Sequence, residues 1–276
     1  LGCPMRCTFC EAGRTEYNPR SAATVIDEIQ ECYDRFGVRE IDIFDYEFPM
    51  VRQRTLAICR ELQRRQLDLT WACRSRIDTV DGEVLTEMQR AGCRRIYFGI
   101  ESGVQEILDR VNKGITLKQV RQTIGIAKDL GIKPLGFFLI GATGETRETV
   151  RETVRFAKSL DLDFVQFSKL TAKPLTGMWK QLDRETGYDY WKEYILGRTE
   201  EKVLPRPLTS LSNSEIDRLT RWAYVSYHSR PSFLLRSVLR VKSSDEFRRK
   251  FLAFLDMVFR QEGRSRPDAQ FLAYDE

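Results

Sequence analysis

The sequence predicts an α/β protein, with a parallel sheet, helices packed outside it and a helical appendage at the end. Three observations carry this reading. Short β-rich runs alternate strictly with amphipathic helical stretches. The runs start roughly 25–40 residues apart, which suits one βα unit each. After Leu170 the alternation stops, and prolines 174, 205 and 207 punctuate a polar stretch before further helix.

The strands are expected at 41–46, 69–73, 95–100, 133–141 and 163–170, each rich in Ile, Val, Phe and Tyr and bounded by Gly, Pro, Asp or Arg. Between them, Val25, Ile29, Cys32 and Phe36 fall on one helical face. So do Val120, Ile124, Ala127 and Leu130, and again Val150, Val154, Ala157 and Leu160. Ser21 is placed as an N-cap, and Gly37 and Gly131 as helix stops. Beyond the alternating part, Ser212 to Glu215 reads as a capping box opening a helix to about residue 230, and Ser243 to Glu246 as another opening one to about 261.

The chain has 276 residues, 42% hydrophobic and 31% charged, enough for one large domain or two small ones. No apolar run approaches the ~18 residues of a membrane-spanning helix. The single histidine, His228, excludes zinc chemistry that needs several. Seven cysteines are an odd number, clustered only at the front, unlike the framework of a secreted disulfide protein. A reducing, cytoplasmic compartment is the expectation. Of the net charge of +5, the stretch 230–266 holds ten Lys/Arg against four Asp/Glu. It reads as a solvated helical face rather than a nucleic-acid surface.

Cys3, Cys7 and Cys10 form C-x3-C-x2-C. Soft thiolates select zinc or an iron–sulfur cluster. Zinc wants a fourth protein ligand, and none lies near. Three cysteines leave one iron of a cubane without a protein ligand, the open position that a catalytic cluster needs. A non-catalytic iron–sulfur or zinc protein is the alternative.

With Phe9 just before the third cysteine, this motif resembles the signature of the radical S-adenosylmethionine (SAM) superfamily. The resemblance implies a partial (β/α)6 TIM-like barrel over 1–183, with a helical C-terminal region over 184–276. It also implies a 4Fe–4S cluster on Cys3, Cys7 and Cys10, with SAM chelating the fourth iron. An electron donor such as a flavodoxin or ferredoxin would drive cleavage of SAM to methionine and a 5′-deoxyadenosyl radical. That radical would take a hydrogen atom from a small-molecule substrate.

Further resemblances fall at expected strand ends, where βα loops build such sites. Asp45, in Phe44-Asp45-Tyr46-Glu47-Phe48, corresponds to a family acid facing the SAM amino group. Tyr46 replaces the second acid, so Glu47 is a competing carboxylate. Arg76 matches an arginine suited to bidentate pairing with a carboxylate. Glu101, in Gly99-Ile100-Glu101-Ser102-Gly103, matches the acid that accepts from the SAM ribose; Lys113 matches a family position without an assigned role. Gly141, in Gly141-Ala142-Thr143-Gly144-Glu145-Thr146, would let the backbone approach the cofactor. Lys173-Pro174-Leu175-Thr176 resembles a Pro-Gly-Thr element with Leu175 in place of glycine.

Trp222 to Tyr224 and Tyr227 to Pro231 resemble the tail of cobalamin-dependent radical SAM proteins, which include methylases and a ring-forming cyclase. The branch implies cobalamin held mainly by an N-terminal domain outside this chain. The first barrel strand is also expected to lie outside it, leaving 41–46 as a sheet edge. A radical SAM nucleic-acid modifier using the basic tail is the other alternative.

Overall fold

The structure, a computed structural model, describes residues 2–199 and 209–239 and the single residues 245, 248, 249 and 252. Ser21 opens helix α1 (Ala22–Phe36) by accepting the Thr24 N–H at 3.1 Å, and Gly37 closes it in the left-handed conformation. The chain then runs through β1 (Glu40–Ile43), α2 (Arg52–Arg64), β2 (Thr70–Ser75), α3 (Gly82–Arg90) and β3 (Cys93–Glu101). It continues with α4 (Gln105–Arg110), α5 (Leu117–Asp129), β4 (Lys133–Ile140), α6 (Arg147–Leu160) and β5 (Phe164–Lys169). Last come α7 (Gly177–Thr186), α8 (Tyr190–Ile195), α9 (Asn213–His228) and α10 (Pro231–Leu239).

All neighbouring strands pair parallel, in the order β1-β2-β3-β4-β5. A sequential order has no reversal point. Crossovers of one hand then keep every connecting helix on one side, and the sheet curls as part of a barrel. The expected α/β class and partial barrel are therefore the observed ones.

Alternation along the strands separates the two faces. Trp71, Cys73, Ile96, Phe98, Ile100, Phe138, Val165 and Phe167 join the main core with Ile26, Ile58, Leu85, Ile124 and Val154 from the helices. The opposite face carries Arg74, Tyr97, Phe137 and Gln166; the Tyr97 and Phe137 rings stack at 5.9 Å.

The strand expected at 41–46 ends at Ile43. Among the described residues β1 pairs only with β2, so its ladder is held on one side. Phe44 and Tyr46 are exposed, and the chain turns to bury Glu47 and Phe48. Strand β2, held on both sides, instead runs two residues beyond its expected end. Cys59, Cys73 and Cys93 lie in the core, and burial pushes the Cys59 thiol up to about 12.

Helix α9 opens with the expected capping box, Ser212 with Glu215, and lays Ile216, Ala223 and Tyr227 onto the main core. The Tyr–Arg tail motif works here as a clasp. Tyr227 Oη donates to the Leu162 carbonyl at 2.9 Å. Arg230 donates to the Lys158 carbonyl at 3.0 Å and stacks over the Tyr227 ring. It thereby satisfies a carbonyl at the C-terminal end of α6. His228 is buried among Phe164, Tyr224, Tyr227 and Phe233, with Nδ1 2.9 Å from the Tyr224 carbonyl. The second capping box, at Ser243, and most of the basic stretch lie outside the described residues. Among those described, no helix is long and apolar enough to cross a membrane.

Candidate active site

The cysteine loop lies across the C-terminal ends of the strands. Its backbone is pinned on two sides. Thr8 N–H donates to Val111 O at 3.0 Å, and Asn112 Nδ2 donates to Arg6 O at 2.8 Å. On the other side, Met178 N–H at the start of α7 donates to Thr8 O at 2.9 Å. Phe9 wedges into a small apolar cluster of Ile107, Val111, Ala142, Leu170, Ala172 and Met178, residues that follow β3, β4 and β5. The aromatic before the third cysteine is thus an anchor. Cys3, Cys7 and Cys10 are half-buried free thiols on the loop it holds. Burial raises the Cys7 thiol, with the Lys113 and Arg76 cations pulling against it; burial likewise raises Cys3.

Two buried cations stand beside this loop. Arg76, just past β2, donates from Nε and Nη2 to the two Asp78 carboxylate oxygens at 2.8 and 2.9 Å. Nη2 also donates to the Lys113 carbonyl at 2.5 Å, and Nη1 lies 3.5 Å from Cys7 Sγ. The carboxylate that Arg76 grips bidentately is therefore in its own chain. Lys113 donates from Nζ to Glu101 Oε1 at 2.7 Å, and both side chains are at most 10% exposed.

The Glu101 geometry rests on two features that periodicity cannot show. The β3–β4 register shifts between Gly99 and Glu101, and Glu101 takes φ +70°, a left-handed value uncommon outside glycine. Such strain concentrates at functional positions. A Cβ on Gly99 would stand 2.6 Å from Glu101 Oε1 and 2.8 Å from Lys113 Nζ, so this glycine makes room for the ion pair. Ser102 and the Gly103 N–H meet Thr153 Oγ1 of α6, each at 3.1 Å, which locks the loop behind Glu101.

After β1 the two acids separate. Asp45 is half-buried, whereas Glu47 is buried and accepts from Thr79 Oγ1 at 2.6 Å. Burial pushes the Glu47 carboxyl up to about 7. After β4, Gly141 has φ +92°, and a Cβ there would meet Ile216 of α9 at 2.9 Å. Its N–H, with that of Ala142, goes to Glu145 Oε2. Thr146, not Glu145, caps α6. Glu145 is fully buried, and burial pushes its carboxyl up to about 7. Leu175, standing where a glycine was expected, adopts φ +66°. Thr176 then caps α7 by accepting the Trp179 N–H at 3.1 Å.

The donor set fits an iron–sulfur cluster. Three thiols sit on one anchored loop, with the Lys113 and Arg76 cations beside Cys7, a setting that suits an anionic cluster. Among the described residues, no three His, Cys, Asp or Glu close on a single-ion site. A cubane does not need that closure, because each thiolate binds a different iron.

A sequence profile described as the radical SAM superfamily matches residues 1–157. The chain belongs to that superfamily. The family's cofactors are a 4Fe–4S cluster and SAM, and its members with similar sequences are enzymes. An uncharacterized methyltransferase of Pyrococcus horikoshii is 33% identical over 86% of this chain and 52% of its own length. The anaerobic magnesium-protoporphyrin IX monomethyl ester cyclase of Rubrivivax gelatinosus is 30% identical over 69% of this chain and 35% of its own. Among solved structures, the radical SAM methyltransferase TsrM of Kitasatospora setae, with cobalamin and a 4Fe–4S cluster bound, aligns with a TM-score of 0.62 and 26% identity. That alignment covers 67% of this chain and 35% of TsrM. The cobalamin-dependent radical enzyme OxsB shares the fold over 91% of this chain, with a TM-score of 0.63 at 18% identity. The chain thus spans about half or less of the relatives it matches.

Proposed function

We propose that this chain is the radical-generating part of an enzyme that uses SAM and cobalamin to transfer a methyl group or close a ring on a small molecule. The observation that carries the reading is the anchored three-cysteine loop beside Arg76, Lys113 and Glu101 at the strand C-termini. In this reading Cys3, Cys7 and Cys10 hold the 4Fe–4S cluster, which supplies the electron that cleaves SAM to methionine and a 5′-deoxyadenosyl radical.

The protein's own share is placement. Phe9 and the Val111 and Thr8 hydrogen bonds fix the loop. Glu101, paired with Lys113, would accept from the SAM ribose hydroxyls, and Asp45 from its amino group. Gly141 gives the end of β4 its tight turn. The relatives named for methyl transfer and cyclisation, and the cobalamin bound by TsrM and OxsB, support the finer reading. Cobalamin would then sit mainly on another domain, and a flavodoxin- or ferredoxin-type carrier would supply the electron.

The test is anaerobic reconstitution with iron and sulfide, then dithionite and SAM. Formation of 5′-deoxyadenosine with methionine is expected. A protein that binds iron and sulfide yet never cleaves SAM would leave only the non-catalytic binder.

A further inference from the structure

We infer that Arg76 acts on the cluster rather than on SAM: locked by Asp78 and the Lys113 carbonyl, its guanidinium donates to the Cys7 sulfur and raises the reduction potential of the cluster held there. This rests on the reading of Cys7 as a cluster ligand.

The first argument is one of available donors. A guanidinium has five N–H groups in a fixed fork. Nε and Nη2 spend three of them on Asp78 and the Lys113 carbonyl, and Nη1 gives one to Cys7 Sγ at 3.5 Å. A bidentate grip on a second carboxylate would need two adjacent donors, and this fork has only one left. SAM's carboxylate would have to displace Asp78.

The second argument is orientation. Asp78 occupies the Nε–Nη2 edge of the fork, so its negative charge lies away from Nη1. The ion pair presents its positive end to the sulfur. The Arg76 side chain is only 7% exposed, so water screens that charge little. Lys113 is nearby, but its ammonium is committed to Glu101 at 2.7 Å.

The third argument is chemical. A hydrogen bond to a ligating sulfur draws off negative charge and raises the potential of an iron–sulfur centre. The step is reduction alone: one electron enters from an external reductant, the cluster gains one negative charge, and no bond is made or broken. A fixed cation beside Cys7 favours the more negative form. Asp78 and the Lys113 carbonyl hold the cation in place.

Arg76 is a positioning residue, so its test must read more than turnover. Wild type, Arg76→Gln and Arg76→Lys are reconstituted anaerobically, and iron per chain is counted. Each is titrated with dithionite through redox dyes, without SAM, and followed by EPR. Arg76→Gln should keep its iron and favour the reduced state at least tenfold less, a midpoint lower by 59 mV for one electron. Arg76→Lys should fall between, because a point charge on a flexible stem cannot hold Asp78 and the sulfur together. SAM affinity should stay within threefold of wild type. A wild-type midpoint in either variant that carries full iron overturns the inference; if Arg76→Gln loses iron, Arg76→Lys decides alone. A tenfold loss of SAM affinity at an unchanged midpoint returns Arg76 to the SAM carboxylate. Failure of the wild-type chain to assemble any cluster would instead overturn the reading of Cys7 as a ligand.

Discussion

Of the three carboxylates buried at the mouth of the sheet, Glu101 and Glu145 are treated in opposite ways by the fold. Glu101, at the end of β3, meets the Lys113 ammonium at 2.7 Å. Glu145, after β4, has only the Gly141 and Ala142 N–H groups on one oxygen, and among the described residues its other oxygen has no partner. Glu101 thus has a counter-charge beside it, whereas burial without one pushes the Glu145 carboxyl up to about 7. A buried ion pair adds little stability of its own, so its presence argues for a use beyond folding.

Breaking the paired side should have the largest effect. Lys113→Met leaves the Glu101 carboxylate buried without a counter-charge and should cost about 3–5 kcal/mol in urea unfolding. The double variant Lys113→Met with Glu101→Gln should lose clearly less than Lys113→Met alone. Equal losses would mean that the pair is not coupled.

The unpaired side should respond in the other direction. The Glu145 carboxyl is raised from the usual 4.5 to about 7, so the folded chain holds this proton more tightly than the unfolded one. Stability from this group is therefore full below about pH 4.5 and lost as pH rises through 7. Glu145→Gln should raise stability at pH 8 by up to roughly 3 kcal/mol, read as a higher melting temperature, and leave it unchanged near pH 4.5. Both backbone N–H groups bond to the same carboxylate oxygen, so the amide oxygen can accept both. A uniform effect at every pH would refute the raised Glu145 carboxyl.

Ligand binding sharpens the comparison further. Glu101→Gln should weaken SAM roughly tenfold, about the value of a charge-assisted hydrogen bond, as read by equilibrium dialysis on reconstituted protein. Glu145→Gln should leave that affinity alone. The smallest effect is conformational. Leu175 is exposed and holds φ +66°, so Leu175→Gly should stabilise by about 1 kcal/mol or less, the strain relieved being partly offset by glycine's entropy. A lower melting temperature would show that the leucine side chain contributes packing.

The strands were legible because each is rich in β-branched and aromatic residues and bounded by turn or charged residues, and the caps because Ser21 and Ser212 bond within their own first turns. The cysteine spacing was equally local. What escaped is long-range. Arg76 reaches Cys7 across 69 positions, and no local pattern encodes that contact. Asp45 stood out as an acid at a strand end, yet Glu47 is the buried one, because the chain leaves the sheet at Ile43 and turns. Gly99 looked like part of a motif, but its reason is the space taken by Glu101 and Lys113. Leu175 did carry a signal: it replaced a glycine in a familiar element, and the backbone kept the glycine conformation.

The measurement that most directly tests the central claim is iron and sulfide per chain after anaerobic reconstitution, across single cysteine variants. Cys3, Cys7 and Cys10 lie on the anchored loop, whereas Cys59 and Cys93 are packed in the core. Cys3→Ala, Cys7→Ala and Cys10→Ala should each lose the cluster, while Cys59→Ala and Cys93→Ala, where they fold, should keep the wild-type iron content. Full iron in Cys7→Ala would contradict the account.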